Sequence, residues 1–260
     1  MPLFARSSDG LSIAYDDIGL GDPVVLVHGF ASGRLQNWRD PGWYDVLLQA
    51  GYRVIALDCR GHGESDKPYD PAFYGHDVMA NDVAAVMNEA GVKQARLMGY
   101  SMGGFISIQM LMHKPEAIEK LVIGGVGESY LDDSPTSRDR MSDPSVRNGI
   151  ADALLAPDKS TITNPTAKAF RAFAEQQGKD LRALAACIRG VRPNITKAEL
   201  SHSTRPVLVV CGEKDDLTGS PGPLAAAFAD GRAVTVPRRD HMTAVGDKVY
   251  KDAALQFFAD

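Results

Sequence analysis

One hydroxyl in this sequence sits where a hydroxyl can become a nucleophile. In Gly99-Tyr-Ser101-Met-Gly103-Gly104, Ser101 has a glycine two residues away on each side. The run before it, Ala95 to Met98, reads as a strand, and the run after it, Phe105 to Met110, reads as a helix. A serine on so sharp a strand-to-helix turn needs neighbours without side chains, because Cβ atoms two residues either side would collide. The turn also aims the Ser101 oxygen toward the amino end of the following helix, where free N–H groups favour negative charge. That chemistry is acyl transfer.

A serine hydroxyl is a poor nucleophile at neutral pH and needs a neutral imidazole to take its proton. Six histidines compete. His28 and His62 lie in glycine-flanked turns, His76 and His113 on or at the ends of helical patterns, and His202 in a polar connector. His241 follows the last strand-like run by a short loop and precedes the final helical run. The imidazole in turn needs a carboxylate on a neighbouring strand end, and Val207-Leu-Val-Val-Cys-Gly212-Glu-Lys-Asp215-Asp216 offers Asp215, with Asp216 as a rival. The charge that develops on a carbonyl oxygen calls for two preset N–H donors, expected from the backbones of Met102 and Phe30. His28 is expected to bond nearby loop backbone. Arg60-Gly-His-Gly-Glu-Ser65 reads as a tight turn rather than a phosphate cradle, since the Lys-Ser/Thr ending of a P-loop is missing. No cluster has metal-ligand spacing, and no cofactor is implied.

The elements that must position these groups alternate. Strand-like runs occur near Phe4, over Leu11 to Tyr15, and at Val24 to Val27, Val54 to Leu57, Ala95 to Tyr100, Leu121 to Ile123, Val207 to Cys211 and Ala233 to Val236. Several are apolar throughout, as a parallel sheet covered on both faces requires. Helical patterns fill the intervals at Trp43 to Ala50, Val78 to Ala90, Met102 to His113 and Val249 to Phe258. The expectation is an α/β fold with a mostly parallel eight-stranded sheet flanked by helices. Residues 127–203 break the rhythm: a polar turn at Asp132-Asp-Ser-Pro135, then helical patterns over Asn148 to Leu155, Lys168 to Gln176 and Leu181 to Ile188. A structureless loop that long is rare, so a helical cap is expected there, over a core of residues 1–126 and 204–260. Its apolar candidates are Leu154, Leu155, Phe170, Phe173 and Leu184. Helical spacing of such residues points to core packing more than to a pocket wall.

Bulk properties narrow the function classes. The 260 residues carry a net charge of −5, with no run of five like charges, which argues against nucleic-acid or anionic-membrane partners. No apolar stretch approaches the ~18 residues of a membrane span, and the amino terminus lacks the apolar core of a signal peptide. Three cysteines without paired spacing argue against a disulfide framework and fit a cytoplasmic protein. Oligomeric state is left open.

Three segments together resemble successive fingerprints of the α/β-hydrolase superfamily, in its capped serine esterase and C–C hydrolase branch: Val25-Leu-Val-His-Gly-Phe30, Asp58-Cys-Arg-Gly-His-Gly-Glu-Ser65 and Gly99-Tyr-Ser-Met-Gly-Gly104. The regions from Val207 to Asp215 and around His241 match in order and spacing. This resemblance implies Ser101 as nucleophile, His241 as base and Asp215 as orienting acid, in the chain order serine, aspartate, histidine. It also makes Glu128, after the preceding strand, an alternative acid position. One departure is Asp240, where members often carry glycine. The expected activity is carboxylic ester hydrolysis of a small organic substrate through an acyl-enzyme. The alternatives are C–C bond hydrolysis or lactone opening by the same residues, or a hydrolase-fold ligand sensor. Epoxide hydrolase and dehalogenase readings need a carboxylate where Ser101 stands.

Overall fold

Strands that are apolar on both faces must be covered on both faces, and here they are. The computed structural model describes residues 1–131, 143–176, 179–190 and 196–260. Its strands are β1 (Leu3–Arg6), β2 (Ser12–Ile18), β3 (Pro23–Val27), β4 (Arg53–Leu57), β5 (Ala95–Tyr100), β6 (Ile118–Gly124), β7 (Val207–Gly212) and β8 (Gly231–Val236). They form one sheet in the order β1-β2-β4-β3-β5-β6-β7-β8. β1 and β2 pair antiparallel, β2 pairs antiparallel with β4, and the remaining pairs are parallel.

Alternation along each strand assigns residues to the two faces. Val25, Val27, Ile55, Leu57 and Leu97 pack with Met79, Val83 and Val86 of α2 (His76–Glu89) and Ile106 and Met110 of α3 (Met102–His113). Val24, Leu26, Val54, Ala56 and Met98 pack on the other side with Trp43 and Leu47 of α1 (Trp43–Gln49) and Phe257 and Phe258 of α9 (Lys248–Ala259). After β4 the chain crosses from one side of β3 to the other to form β5. The carboxyl ends of β3 and β5 therefore flank a topological switch point, where open α/β sheets bind ligands.

Between β6 and β7 run α4 (Pro144–Leu155), α5 (Pro165–Ala174), α6 (Leu181–Arg189) and α7 (Lys197–Ser201); α8 (Pro221–Ala225) follows β7. α4 begins four residues before the expected start, because Asp143 accepts from the Ser145 N–H and Pro144 fills the first helical position. α5 likewise begins at Pro165, with Asn164 as its cap. α7 and α8 are too short for periodicity to reveal, although Thr196 and Glu199 form a capping box. The polar turn at 132–135 lies outside the described residues. Of the apolar candidates in this region, Leu154 and Leu184 are buried in the same core as α2 and α3, and Phe170 and Phe173 pack partly against it. Leu155 is an exception, 44% exposed. No helix among the described residues is long and apolar enough to cross a membrane.

A buried ion pair fixes α2 to the turn that follows β4. Arg60 donates to both carboxylate oxygens of Asp82 at 2.6 and 2.7 Å, and to Asp9 at 2.6 and 3.0 Å. Both Arg60 and Asp82 are buried. Removing Asp82 leaves the buried guanidinium with the partly exposed Asp9 as its remaining carboxylate. Asp82→Ala is therefore expected to lower unfolding free energy by about 3 kcal/mol, because Asp9 still meets the guanidinium. Urea denaturation of the two proteins checks this.

Candidate active site

Ser101 is the turn between β5 and α3, and its backbone is forced into φ 52°, ψ −116°. A non-glycine residue there stores on the order of 1–3 kcal/mol of strain, which the surroundings must hold in place. Close packing does so. A Cβ added at Gly103 would meet the carbonyl oxygens of Val27 and His28 at 2.0 and 2.7 Å, so α3 lies directly on the end of β3. A Cβ at Gly99 would meet the Gly103 carbonyl oxygen at 2.2 Å. The side-chain collisions expected from sequence thus take a different form: each glycine gives way to backbone, and Gly103 admits a neighbouring strand. The Ser101 N–H donates to the Gly124 carbonyl at 2.8 Å and completes the turn.

His241 reaches this serine across 140 residues of chain. Its Nε2 lies 3.0 Å from Ser101 Oγ and its Nδ1 lies 2.8 Å from Asp215 Oδ2. Since a carboxylate only accepts, Nδ1 carries the proton and Nε2 is left to accept from the serine. The other oxygen of Asp215 accepts from the N–H groups of Leu217 and Thr218 at 3.2 and 3.0 Å. The Asp215 side chain is fully buried, whereas that of His241 keeps some exposure. Asp216, the sequence rival, is exposed and the imidazole bond goes to its neighbour. Glu128, the alternative acid position, packs against Gly219, whose added Cβ would stand 3.0 Å from its Oε1, and the imidazole bond goes to Asp215 instead. Asp240, the departure from the resemblance, closes the turn that carries the histidine. Its Oδ1 accepts from the N–H groups of Met242 and Thr243 and from the Thr243 hydroxyl, at 3.1, 2.9 and 2.6 Å.

The loop after β3 passes beside the serine. A Cβ added at Gly29 would stand 3.4 Å from Ser101 Cβ. Phe30 follows directly, and Met102 follows Ser101. Among the described residues, neither the Phe30 N–H nor the Met102 N–H finds a hydrogen-bond acceptor outside regular helix and strand pairing. Their flanks are held: the Gly29 N–H donates to Asn37 Oδ1 at 2.9 Å, and the Ala31 N–H to His62 Nε2 at 3.1 Å. Ala31 itself sits at φ 55°. His62 Nδ1 donates to the Arg60 carbonyl at 3.0 Å. His28 works the same way, donating from Nδ1 to the Gly29 carbonyl at 2.7 Å and accepting at Nε2 from the Cys59 N–H at 2.9 Å. Burial lowers the pKa of both, His62 to about 3. Both are neutral supports for the loop.

Two supporting residues had no signal of their own in the sequence. Tyr100, the residue before the serine, donates from its phenol to the His241 carbonyl at 2.5 Å and packs its ring on the imidazole. Asn37 is the other. From beyond β6, Cys187 on α6 brings its Sγ to 3.8 Å from Met102 Sδ, and Phe170 on α5 packs edge-on against Phe30. No group of three or more metal-ligating side chains capable of holding an ion is found among the described residues.

The model of the alpha/beta hydrolase fold family matches residues 22–243. The chain is 33% identical over 121 residues to the AB hydrolase superfamily protein YisY of Bacillus subtilis, covering 46% of this chain and 43% of that one. It is 37% identical over 124 residues to a 2-hydroxy-6-oxononadienedioate/2-hydroxy-6-oxononatrienedioate hydrolase of Escherichia coli, covering 45% of this chain and 41% of that one. These matches span less than half the length of either relative. A solved hydrolase from Pseudomonas aeruginosa superposes with TM-score 0.77 at 27% identity, over 100% of this chain and 98% of that one.

The neutral histidines have a consequence for stability. An unfolded histidine binds a proton near pH 6.5, whereas His62 in the folded protein does so only near 3. Between those values the unfolded chain binds the extra proton, so stability is full above about pH 6.5 and falls as pH drops, by about 1.4 kcal/mol per unit for that one group. Urea unfolding at pH 7 and pH 5 is expected to show this slope. In His62→Gln it should shrink by one proton.

Proposed function

The chain belongs to the alpha/beta hydrolase fold family, and from that premise we propose that it is a serine hydrolase cleaving carboxylic esters of small organic molecules through an acyl-enzyme. The observation that carries this reading is the continuous bond path from Ser101 Oγ to His241 Nε2 and from His241 Nδ1 to Asp215, at 3.0 and 2.8 Å. Ser101 Oγ attacks the ester carbonyl while His241 takes its proton. The imidazolium that forms is stabilised by Asp215, which stays ionised, and then protonates the departing alkoxide. The negative charge gathered on the carbonyl oxygen is met by the N–H groups of Phe30 and Met102, and losing one such donor typically costs about 3 kcal/mol of barrier. Water, deprotonated by His241, repeats the sequence on the acyl-enzyme and releases the acid.

Two further parts of the reading rest on position. α4 to α7 would form a cap over the crevice, with Phe170 in contact with Phe30 and Cys187 in contact with Met102. Three buried cysteines, none of them in a disulfide, suit a cytoplasmic setting.

A second reading is favoured by the likeness to the Escherichia coli hydrolase: hydrolytic cleavage of a carbon–carbon bond beside a ketone, with the same serine, histidine and aspartate. The two readings part at the substrate. Under the first, purified protein turns over p-nitrophenyl acetate steadily, and Ser101→Ala lowers that rate at least about 10⁴-fold. Asp215→Asn, which permits the wrong imidazole tautomer, is expected to cost a comparable factor. Esters left intact while a coloured dienone is bleached would select the second reading. Full ester turnover by Ser101→Ala would remove both.

A further inference from the structure

Behind the loop that carries Phe30 lies a second space. It is a cavity of about 540 Å³ bordered by Ser32 to Gln36, by Asp58, by Gly61 to Glu64 with Lys67, and by Lys179, Asp180 and Leu184. Ser101 and His241 do not line it. Its volume lies within the range of small-molecule sites, and its charges are unevenly satisfied.

The three carboxylates on its wall are each committed. Asp58 forms an ion pair with Arg34 and accepts from the N–H groups of Arg34 and Glu64 at 2.7 and 2.9 Å. Glu64 pairs with Arg34 at 2.5 Å. Asp180 caps α6, accepting from Arg182 and Ala183 N–H groups at 3.0 Å each, and takes the Tyr69 hydroxyl at 2.9 Å. Arg34 is thereby saturated, with Asp16 as a third partner at 3.0 Å. Lys67 donates to the Gly63 and Ser65 carbonyls at 2.6 and 2.9 Å, and Lys179 likewise has no carboxylate partner. Its ammonium donates to Gln36 Oε1 at 2.8 Å and lies 4.2 Å from the centre of the Phe173 ring. No ion pair joins it to a carboxylate among the described residues. Burial alone pulls its pKa down to about 8. Taking an ammonium out of water without an opposite charge is unfavourable, and an anion entering the cavity would relieve that cost.

We propose that this cavity is a binding site for a small organic carboxylate, whose charge is met by the Lys179 ammonium beside Gln36 and the Phe173 ring. Leu35 and Leu184 supply the apolar wall for a short carbon chain. The site backs onto the reaction centre from two sides. Gln36 is the neighbour of Asn37, which holds the Gly29 N–H, and Leu184 lies one helical turn before Cys187, which touches Met102. A carboxylate here would therefore bridge the α5–α6 connection to the loop bearing Phe30. It could be the far end of a substrate that also reaches Ser101, or a free anion. Binding itself does not rest on the hydrolytic reading; only the substrate-tail form does.

Titration calorimetry with glutarate, using wild type, Lys179→Gln and Lys179→Arg, tests the site. Loss of the charge-assisted contact is expected to weaken binding at least about 10-fold in Lys179→Gln, equivalent to about 1.4 kcal/mol. Lys179→Arg should retain it, and neutral glutaramide should not compete. Independently of any variant, glutarate should slow acetylation of Lys179 in the wild type, followed by mass spectrometry. Absence of glutarate binding to wild type, equal binding by Lys179→Gln, or an unprotected Lys179 overturns the proposal. The source is read from mono-p-nitrophenyl glutarate against p-nitrophenyl pentanoate. A preference for the acid ester that falls about 10-fold in Lys179→Gln identifies the substrate's own tail. Glutarate binding by Ser101→Ala without such a preference identifies a free anion.

Discussion

Ser101 is held at a positive φ by contact between backbone and backbone, and the geometry of the crevice follows from that hold. α3 lies so close to the end of β3 that Gly103 has no room for a side chain. The same contact fixes where the Ser101 oxygen emerges, where the Met102 N–H begins the helix, and how near Gly29 and Phe30 come to both. A softer turn would leave each of these free to drift, and a drift of about 1 Å at a reacting atom can cost a factor near 100 in rate. Strain at one residue is the condition for order at several.

Around that turn, polar groups are buried and almost fully committed. His28 and His62 each donate from one ring nitrogen and accept at the other, so burial keeps them neutral and specifies their tautomers. They brace the loop after β3 against the turn after β4. Arg34 and Arg60 in turn anchor those segments through carboxylates drawn from distant parts of the chain. A buried charge without a partner is expensive, so these networks specify loop conformations more surely than they add stability. Against that background Lys179 is bonded only to neutral groups, in a cavity large enough for a ligand.

The histidine is placed by different means. Asp215 and Tyr100 grip it from two sides, one at Nδ1 and the other at the backbone carbonyl, while Asp240 folds the turn that presents it. In sequence, an aspartate before the histidine was a departure from the resembled pattern. In the structure it is a turn-forming residue whose carboxylate accepts three hydrogen bonds. Such a local hydrogen-bonded turn is one that aspartate supplies readily.

How much could be read in advance depends on whether a feature is local. The apolar runs at Val24, Val54, Ala95 and Val207 required a doubly covered parallel sheet, because the side-chain period and the lack of polar alternation are written residue by residue. The glycine-serine-glycine turn was legible for the same reason, as were Ser101 and His241 as a candidate pair. Helix starts at Pro144 and Pro165 were misplaced by three or four residues because caps, not periodicity, set them. The short helices α7 and α8 were missed because they complete too few turns to show a period. The resemblance pointed to Asp215 over Asp216, whereas the residues alone left both open, because adjacent loop residues differ in direction only after the loop packs. Tyr100, Asn37 and Lys179 acquire their roles from partners 8 to 143 residues away. Local pattern determined the elements and the reactive residue types. Long-range packing alone decided which polar atoms meet, because a hydrogen bond depends on separations in space of about 3 Å, and sequence spacing does not encode those across a folded chain.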